Sequence, residues 1–287
     1  MAYDGSALSR RSALAAFLLA LFAIALPAGA QPPTAQPPPG NPQPDVTVRG
    51  QQERALRAFV EAMSDPARSA QLARWNREIC PAVIGIDPAE AVFMENRIGE
   101  IAAPLGLRRQ QAPCLTTMLI VITSDAAGLA TAFARHYPIT LRTEGRARLN
   151  RFAFSSQPVR WISVIDLCAR GCADTGSRLT VATYPEFQAM IVIVDAARIA
   201  GFSLGELSDY VALVALGNPP LARSRPSTSI LSMFELDRPP GARFTLTAND
   251  GSFLDGLYRT DPHSTLGQQR AAIARRMGND PQPAPGD

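Results

Sequence analysis

Apolar positions along this chain recur with a period that changes several times, and each change marks an element. Leu56, Phe59, Val60 and Met63 recur at three- and four-residue steps through Gly50–Ser64, the spacing of one helix face. Val46-Thr47-Val48, just ahead, reads as a short strand, and Pro66 to Trp75 as a second short helix. Cys80 to Ile86 is apolar and predicts a strand or an ordered turn. Asp87-Pro88-Ala89-Glu90 carries three marks of a helix start: a capping carboxylate, a proline at the first helical position and an acid in the first turn. That helix should run to about Leu105, with Gly106 closing it and Val92, Ile98, Ile101, Ala102 and Leu105 largely on one side.

Thr116 to Thr123 (TTMLIVIT) predicts a buried strand. Ser124 or Asp125 caps the next helix, which ends near Tyr137, before Pro138. Arg142 to Arg151 carries four arginines and reads as a solvated loop or hairpin. Val159 to Asp166 alternates around Trp161, as a strand with one wet face would, and Ser177 to Thr183 reads as another short strand. The stretch from Tyr184 to Gly217 organises the rest: a buried strand over Ala189–Asp195, a turn, and a capped apolar helix over Leu204–Leu216. After a loop from Pro219 to Ser229 come a short apolar element, Ile230–Leu236, and a capped helix, Thr247–Tyr258. Thr265, with Gln268 three residues on, opens a last helix that carries Ile273 and Met277 on one face. The sum is an α+β fold, a mixed sheet of about four or five strands packed by helices.

The ends read differently. Arg10 and Arg11, the uncharged apolar run Ser12–Leu26 and Ala28-Gly29-Ala30 form a secretory leader over residues 1–30, so the mature chain is expected to begin at Gln31. The run is shorter than the roughly 20 residues a span takes, and a retained anchor is the alternative reading. Ser9-Arg10-Arg11 also hints at the twin-arginine route. Residues 31–45, rich in proline and glutamine, form an extended, disordered linker. Residues 46–278 form a single domain, and 279–287 a frayed polar tail. No later stretch is apolar for long enough to cross a bilayer, so a periplasmic or secreted protein is expected.

Composition narrows the chemistry. The net charge of +3 is too balanced to argue for nucleic acid as a partner. All 28 basic residues are arginine, which excludes lysine chemistry such as a Schiff base. Four cysteines, Cys80, Cys114, Cys168 and Cys172, allow three pairings in an exported chain; sequence order favours Cys80–Cys114 and Cys168–Cys172. The second pair lacks the two-residue spacing of thioredoxin-like redox sites.

Gly201-Phe202-Ser203-Leu204-Gly205 matches the G-x-S-x-G elbow of serine hydrolases, with His263 as the base and Asp237, Asp250, Asp255 or Asp261 to orient it. Against that, Ser203-Leu204-Gly205-Glu206 is a capping box, and the strand ends near Asp195, too early for a sharp elbow. His136, near a helix end, precedes the serine, against the hydrolase order. Among carboxylates, Asp166, Asp195, Glu206 and Asp209 lie near strand ends or the junction, and a pocket, if present, is expected near Asp195, Ser203 and Glu206. No phosphate loop or dinucleotide fingerprint follows any strand, so no cofactor is expected.

Two segments carry a resemblance. Val211–Pro219 reads VALVALGNP, and Thr247–Tyr258 reads TANDGSFLDGLY. Together they resemble the active-site helix and a later helix of zincin-like metallopeptidases, most closely a poorly characterised group of exported bacterial proteins with a degenerate zincin pattern. The resemblance covers about a quarter of the chain and implies a zincin-like fold. The zinc-binding and base positions of that family fall on Tyr210, Val211 and Val214; the valines have no donor atom and tyrosine is a poor ligand, so the resemblance implies no metal. The sequence-based expectation is an exported, non-enzymatic envelope protein, structural, binding or pseudo-peptidase in role, whose partner is an envelope protein or a small ligand; the alternative is the serine hydrolase.

Overall fold

In a computed structural model, the structure describes residues 46–66, 70–137, 145–168, 181–221, 225–235, 241 and 243–279. All of them belong to one of two units of the chain, Asp45–Asp287; the other, Met1–Pro44, holds the expected leader and nearly all of the linker and lies outside the described residues. Among the described residues the fold is α+β, with seven α-helices and a four-stranded mixed sheet.

The strands are β1 (Pro81–Ile84), β2 (Met118–Thr123), β3 (Val159–Asp166) and β4 (Glu186–Asp195), ordered β1-β2-β4-β3. β1, β2 and β4 run parallel, and β3 closes one edge antiparallel to β4. Parallel neighbours need a crossover, and between β1 and β2 α2 (Pro88–Ala102) supplies it. Asp87 caps α2 by accepting the Ala89 amide, and Gly106, with φ of 84°, ends the short 3-10 turn that follows, as the sequence predicts.

Helices cover both faces. Met118, Ile120, Ile122, Met190, Val192 and Val194 share one large core with apolar residues of α1 (Val46–Met63), α2, α5 (Leu204–Gly217), α6 (Ala248–Arg259) and α7 (Leu266–Asn279). On the other face Ile162 and Ile193 pack with Ala126 and Ala130 of α3 (Ala126–His136) and Phe152 of α4 (Arg146–Phe154). β4 is therefore buried on both sides and reads as a continuous apolar run.

At the centre lies α5, in which every residue from Glu206 to Gly217 is buried. Ser203 and Glu206 complete its capping box. Its last carbonyls, which lack intrahelical donors, are met by other parts of the chain. The Trp75 indole donates to Ala215 O at 2.8 Å, and the Tyr258 hydroxyl to Leu216 O at 2.9 Å. Asn218, in the left-handed region at φ 45°, returns its amide to Val214 O.

Several expectations need correction. Val46-Thr47-Val48 is the first turn of α1, not a strand. Of the helix expected over Pro66–Trp75, residues 67–69 lie outside the described residues, and 70–75 are bend and bridge rather than helix, because their amides find partners elsewhere: Leu72 N on the Gln269 side chain, Arg74 N on Pro185 O. The described part of the arginine-rich stretch is a helix, α4, that buries Phe152 and Ala153. β3 has no wet face, since α3 and α4 cover the side that its alternation leaves polar. On α2, Val92 is exposed, while Ala91 and Met94 join Ile98 and Ala102 in the core. Of the strand expected over Ser177–Thr183, residues 177–180 lie outside the described residues, and 181–183 are not strand.

One predicted disulfide, Cys80–Cys114, is formed and ties the start of β1 to the loop ahead of β2. Cys168 is disulfide-bonded too; Cys172, its expected partner, lies outside the described residues.

Candidate functional site

β4 ends at Asp195, whose carboxylate accepts the Ala197 amide at 3.2 Å and opens a 3-10 turn over Ala196–Arg198. The chain then passes Gly201, at φ 91°, and enters α5. Glu206 sits one turn into that helix, 3% exposed. Its Oε2 accepts the Ser203 amide at 2.7 Å and the Ser203 hydroxyl at 2.8 Å, and its Oε1 accepts the Phe244 amide at 2.8 Å. Asp209, 2% exposed, lies one turn further on. It accepts Arg97 Nε at 2.6 Å, Arg97 Nη2 at 3.3 Å and the Leu246 amide at 3.0 Å. The Asp209 hydrogen bond in turn holds the Arg97 guanidinium above its usual value.

The two acids thus act as a pair of clamps. Spaced i, i+3 on one helix face, they take alternate amides of an extended segment, Phe244 and Leu246, much as a neighbouring strand would. Asp250 repeats the device from α6. Fully buried, it accepts the Thr247 amide at 3.1 Å and the Ile230 amide at 2.8 Å, so it caps its own helix and holds the 3-10 turn Ile230–Phe234. Burial pushes its carboxyl above the ordinary range, against the pull of the Ile230 amide and the Ser229 and Thr247 hydrogen bonds.

The other sequence-selected residues are scattered. Ser203 has its hydroxyl on Glu206, whereas the His263 ring stacks on Tyr184 and sets Nδ1 3.2 Å from Val181 O. Val181 and Tyr184 precede β4, and Ser203 follows it; the ten-residue strand alone spans about 33 Å. The structure does not bring Ser203 and His263 together. Asp255 pairs with Arg259 and Arg276, Asp261 accepts the His263 amide, and Asp237 lies outside the described residues. Asp166 accepts the Cys168 amide at the far end of β3, and His136 is exposed at the end of α3. Tyr210, Val211 and Val214 are buried in the core, Tyr210 against Phe234 at 5.1 Å between ring centroids. The segments Val211–Pro219 and Thr247–Tyr258 are neighbours in space: Leu254 and Phe253 of α6 close over Gly217 of α5.

A concavity that sequence reasoning missed lies at the opposite end of the sheet. It has a volume of about 420 Å³ and is lined by Arg74, Asn76, Arg77, Arg108, Tyr184 and Tyr258 among others. The only sequence signal is the run Arg74-Trp75-Asn76-Arg77, basic and aromatic just ahead of an apolar strand, which the expected helix over Pro66–Trp75 concealed. A wider groove of about 980 Å³ runs between α1 and α7, but its arginines and glutamates are mixed, and Glu53 already pairs with Arg57. Among the described residues no three His, Cys, Asp or Glu side chains are grouped to hold a metal. No family model, no curated protein and no solved structure matches this chain.

Proposed function

We propose that this chain is an exported, non-enzymatic protein of the bacterial envelope whose role is to bind, and that its likeness to zincins is that of a pseudo-peptidase. One observation carries the reading. The polar side chains at the strand-to-helix junction, where chemistry is most expected, hold the protein's own backbone: Glu206 and Asp209 each accept three or more internal hydrogen bonds, and Ser203 caps α5. A nucleophile needs a base within reach, and the nearest acceptor of the Ser203 hydroxyl is a helix-capping carboxylate already shared with two amides. The Cys80–Cys114 bridge suits an oxidising compartment.

The test is labelling of the purified mature protein with a fluorophosphonate probe, alongside Ser203→Ala. The expected result is no labelling, and a loss of about 1 kcal/mol in the variant as a helix cap disappears. Labelling that vanishes in Ser203→Ala would make the protein a serine hydrolase and end this reading. Mass spectrometry of protein recovered from the envelope fraction should place its N-terminus at Gln31.

A further inference from the structure

Arg74 carries a buried guanidinium whose bonding is half complete. Its backbone is locked to the start of β4, with Phe187 N donating to Arg74 O at 3.1 Å, and this holds the side chain at the cavity wall. Nη1 donates to the carbonyl of Thr260. Nε and Nη2 have no hydrogen-bond partner among the described residues, although Arg74 is only 4% exposed. Asp261 acts on it only through space, and accepts from the His263 amide and the Ser264 hydroxyl.

Those two nitrogens have a meaning as a pair. Nε and Nη2 form the side-on edge of the guanidinium, where two N–H bonds point the same way in one plane, and they match the two oxygens of a carboxylate or phosphate. A charge held out of water is costly unless an opposite charge meets it, so an open fork at a cavity wall marks where an anion would be stabilised. The cavity has the right sign. Arg74, Arg77 and Arg108 line it against one glutamate, Glu78, which Arg108 and Gln110 already occupy. Leu105 and Tyr258, both partly exposed, add apolar surface for the body of a ligand, and the volume lies within the range of small-molecule sites. Both free nitrogens are shut off from bulk water, so an anion that reached them would be held in a buried contact rather than a surface ion pair.

We propose that this cavity binds a small organic oxyanion, a carboxylate or a phosphate, gripped side-on by Nε and Nη2 of Arg74. The proposal rests on the reading of the chain as a binding protein and names the chemistry of what it binds. Its test is calorimetric titration of the mature protein at fixed ionic strength with acetate, succinate, inorganic phosphate and phosphoserine, with chloride as the control. Saturable binding with Kd of about 1 mM or tighter is expected for either the carboxylates or the phosphates, and the preferred arm identifies the source. Arg74→Lys keeps the charge but loses the fork, so it should bind about tenfold more weakly or worse. Arg57→Gln, in the α1–α7 groove, should bind as the parent does. Should Arg74→Lys not fold, the Nε–H resonance of Arg74 in the parent protein gives the second readout, and it should move along the same binding curve. Binding by none of the four, or equal binding in Arg74→Lys, or an Nε–H signal that stays still while the ligand saturates, overturns the proposal. Failure here with no fluorophosphonate labelling removes this site and leaves the non-enzymatic reading standing; labelling at Ser203 removes that reading whatever the titrations show.

Discussion

Glu206 shows what a single side chain can hold in this fold. With one oxygen it caps the amide and hydroxyl of Ser203, and with the other it fixes Phe244. Glutamine is nearly isosteric but has one acceptor oxygen, so an amide NH2 would face a donor on one side or the other. Glu206→Gln should therefore cost about 2 kcal/mol by urea denaturation, the range for leaving a buried donor unsatisfied. A change within about 0.5 kcal/mol would show that the clamp is not needed. Asp250 makes a different prediction, because burial raises its carboxyl above the ordinary value. A carboxyl raised on folding binds its proton more tightly in the folded state, so its contribution to stability is full below the unfolded value of about 3.9 and is lost as pH rises through the folded value. In Asp250→Asn that dependence disappears. The parent should gain stability relative to this variant as pH falls from neutral into the carboxylate range, measured by paired denaturation curves; a parallel pair of curves would contradict the burial argument.

At the scale of elements, the caps were legible and the tertiary partners were not. Asp87, Asp125, Ser203, Thr247 and Thr265 act within three or four residues of their targets, and their patterns stand in the sequence. Residues 70–75 misled because Gln269 and Pro185, more than a hundred residues away, supply partners for amides that a helix would have paired internally. The arginines of α4 misled for a related reason. Arg148 reaches the carbonyls of Asp65 and Pro66, while Phe152 on the same helix enters the core, a contact that charge counting hides. Gly85 gives an element-scale prediction at a site that looks unremarkable on the surface. It follows β1 at φ 94°, and a Cβ there would run into the carbonyl of Ile122 on β2. Gly85→Ala should cost about 3 kcal/mol, from backbone strain and the clash together, though no apolar contact is lost. A thermal melt close to that of the parent would mean that the β1–β2 crossing can shift to accept it.

For the whole molecule, the Cys80–Cys114 bridge closes a loop across a sequence separation of 34, which holds α2, the crossover between β1 and β2. Cross-linking a loop of that length removes about 4 kcal/mol of unfolded-state entropy on the chain-entropy model. The Cys80→Ala/Cys114→Ala variant should fall by a comparable amount in chemical denaturation, and reducing agent should lower the parent towards it. If the variant keeps nearly all of the stability, the bridge is incidental to the fold.

The sequence by itself determined what depends on near neighbours. Period, caps and turn residues marked the strands β2 and β4 and the helices α2, α3, α5, α6 and α7, because the forces that start and stop an element act over three or four residues. Cysteine order pointed to the Cys80–Cys114 bridge. Tertiary structure alone decided what burial does to a side chain. It turned Glu206 and Asp209 from candidate chemistry into clamps on a distant segment, covered both faces of β3, and set Ser203 and His263 beyond opposite ends of β4. It also left Arg74 buried with two donors open. No local pattern records such a thing, because whether a charge is answered depends on which groups the whole chain folds around it.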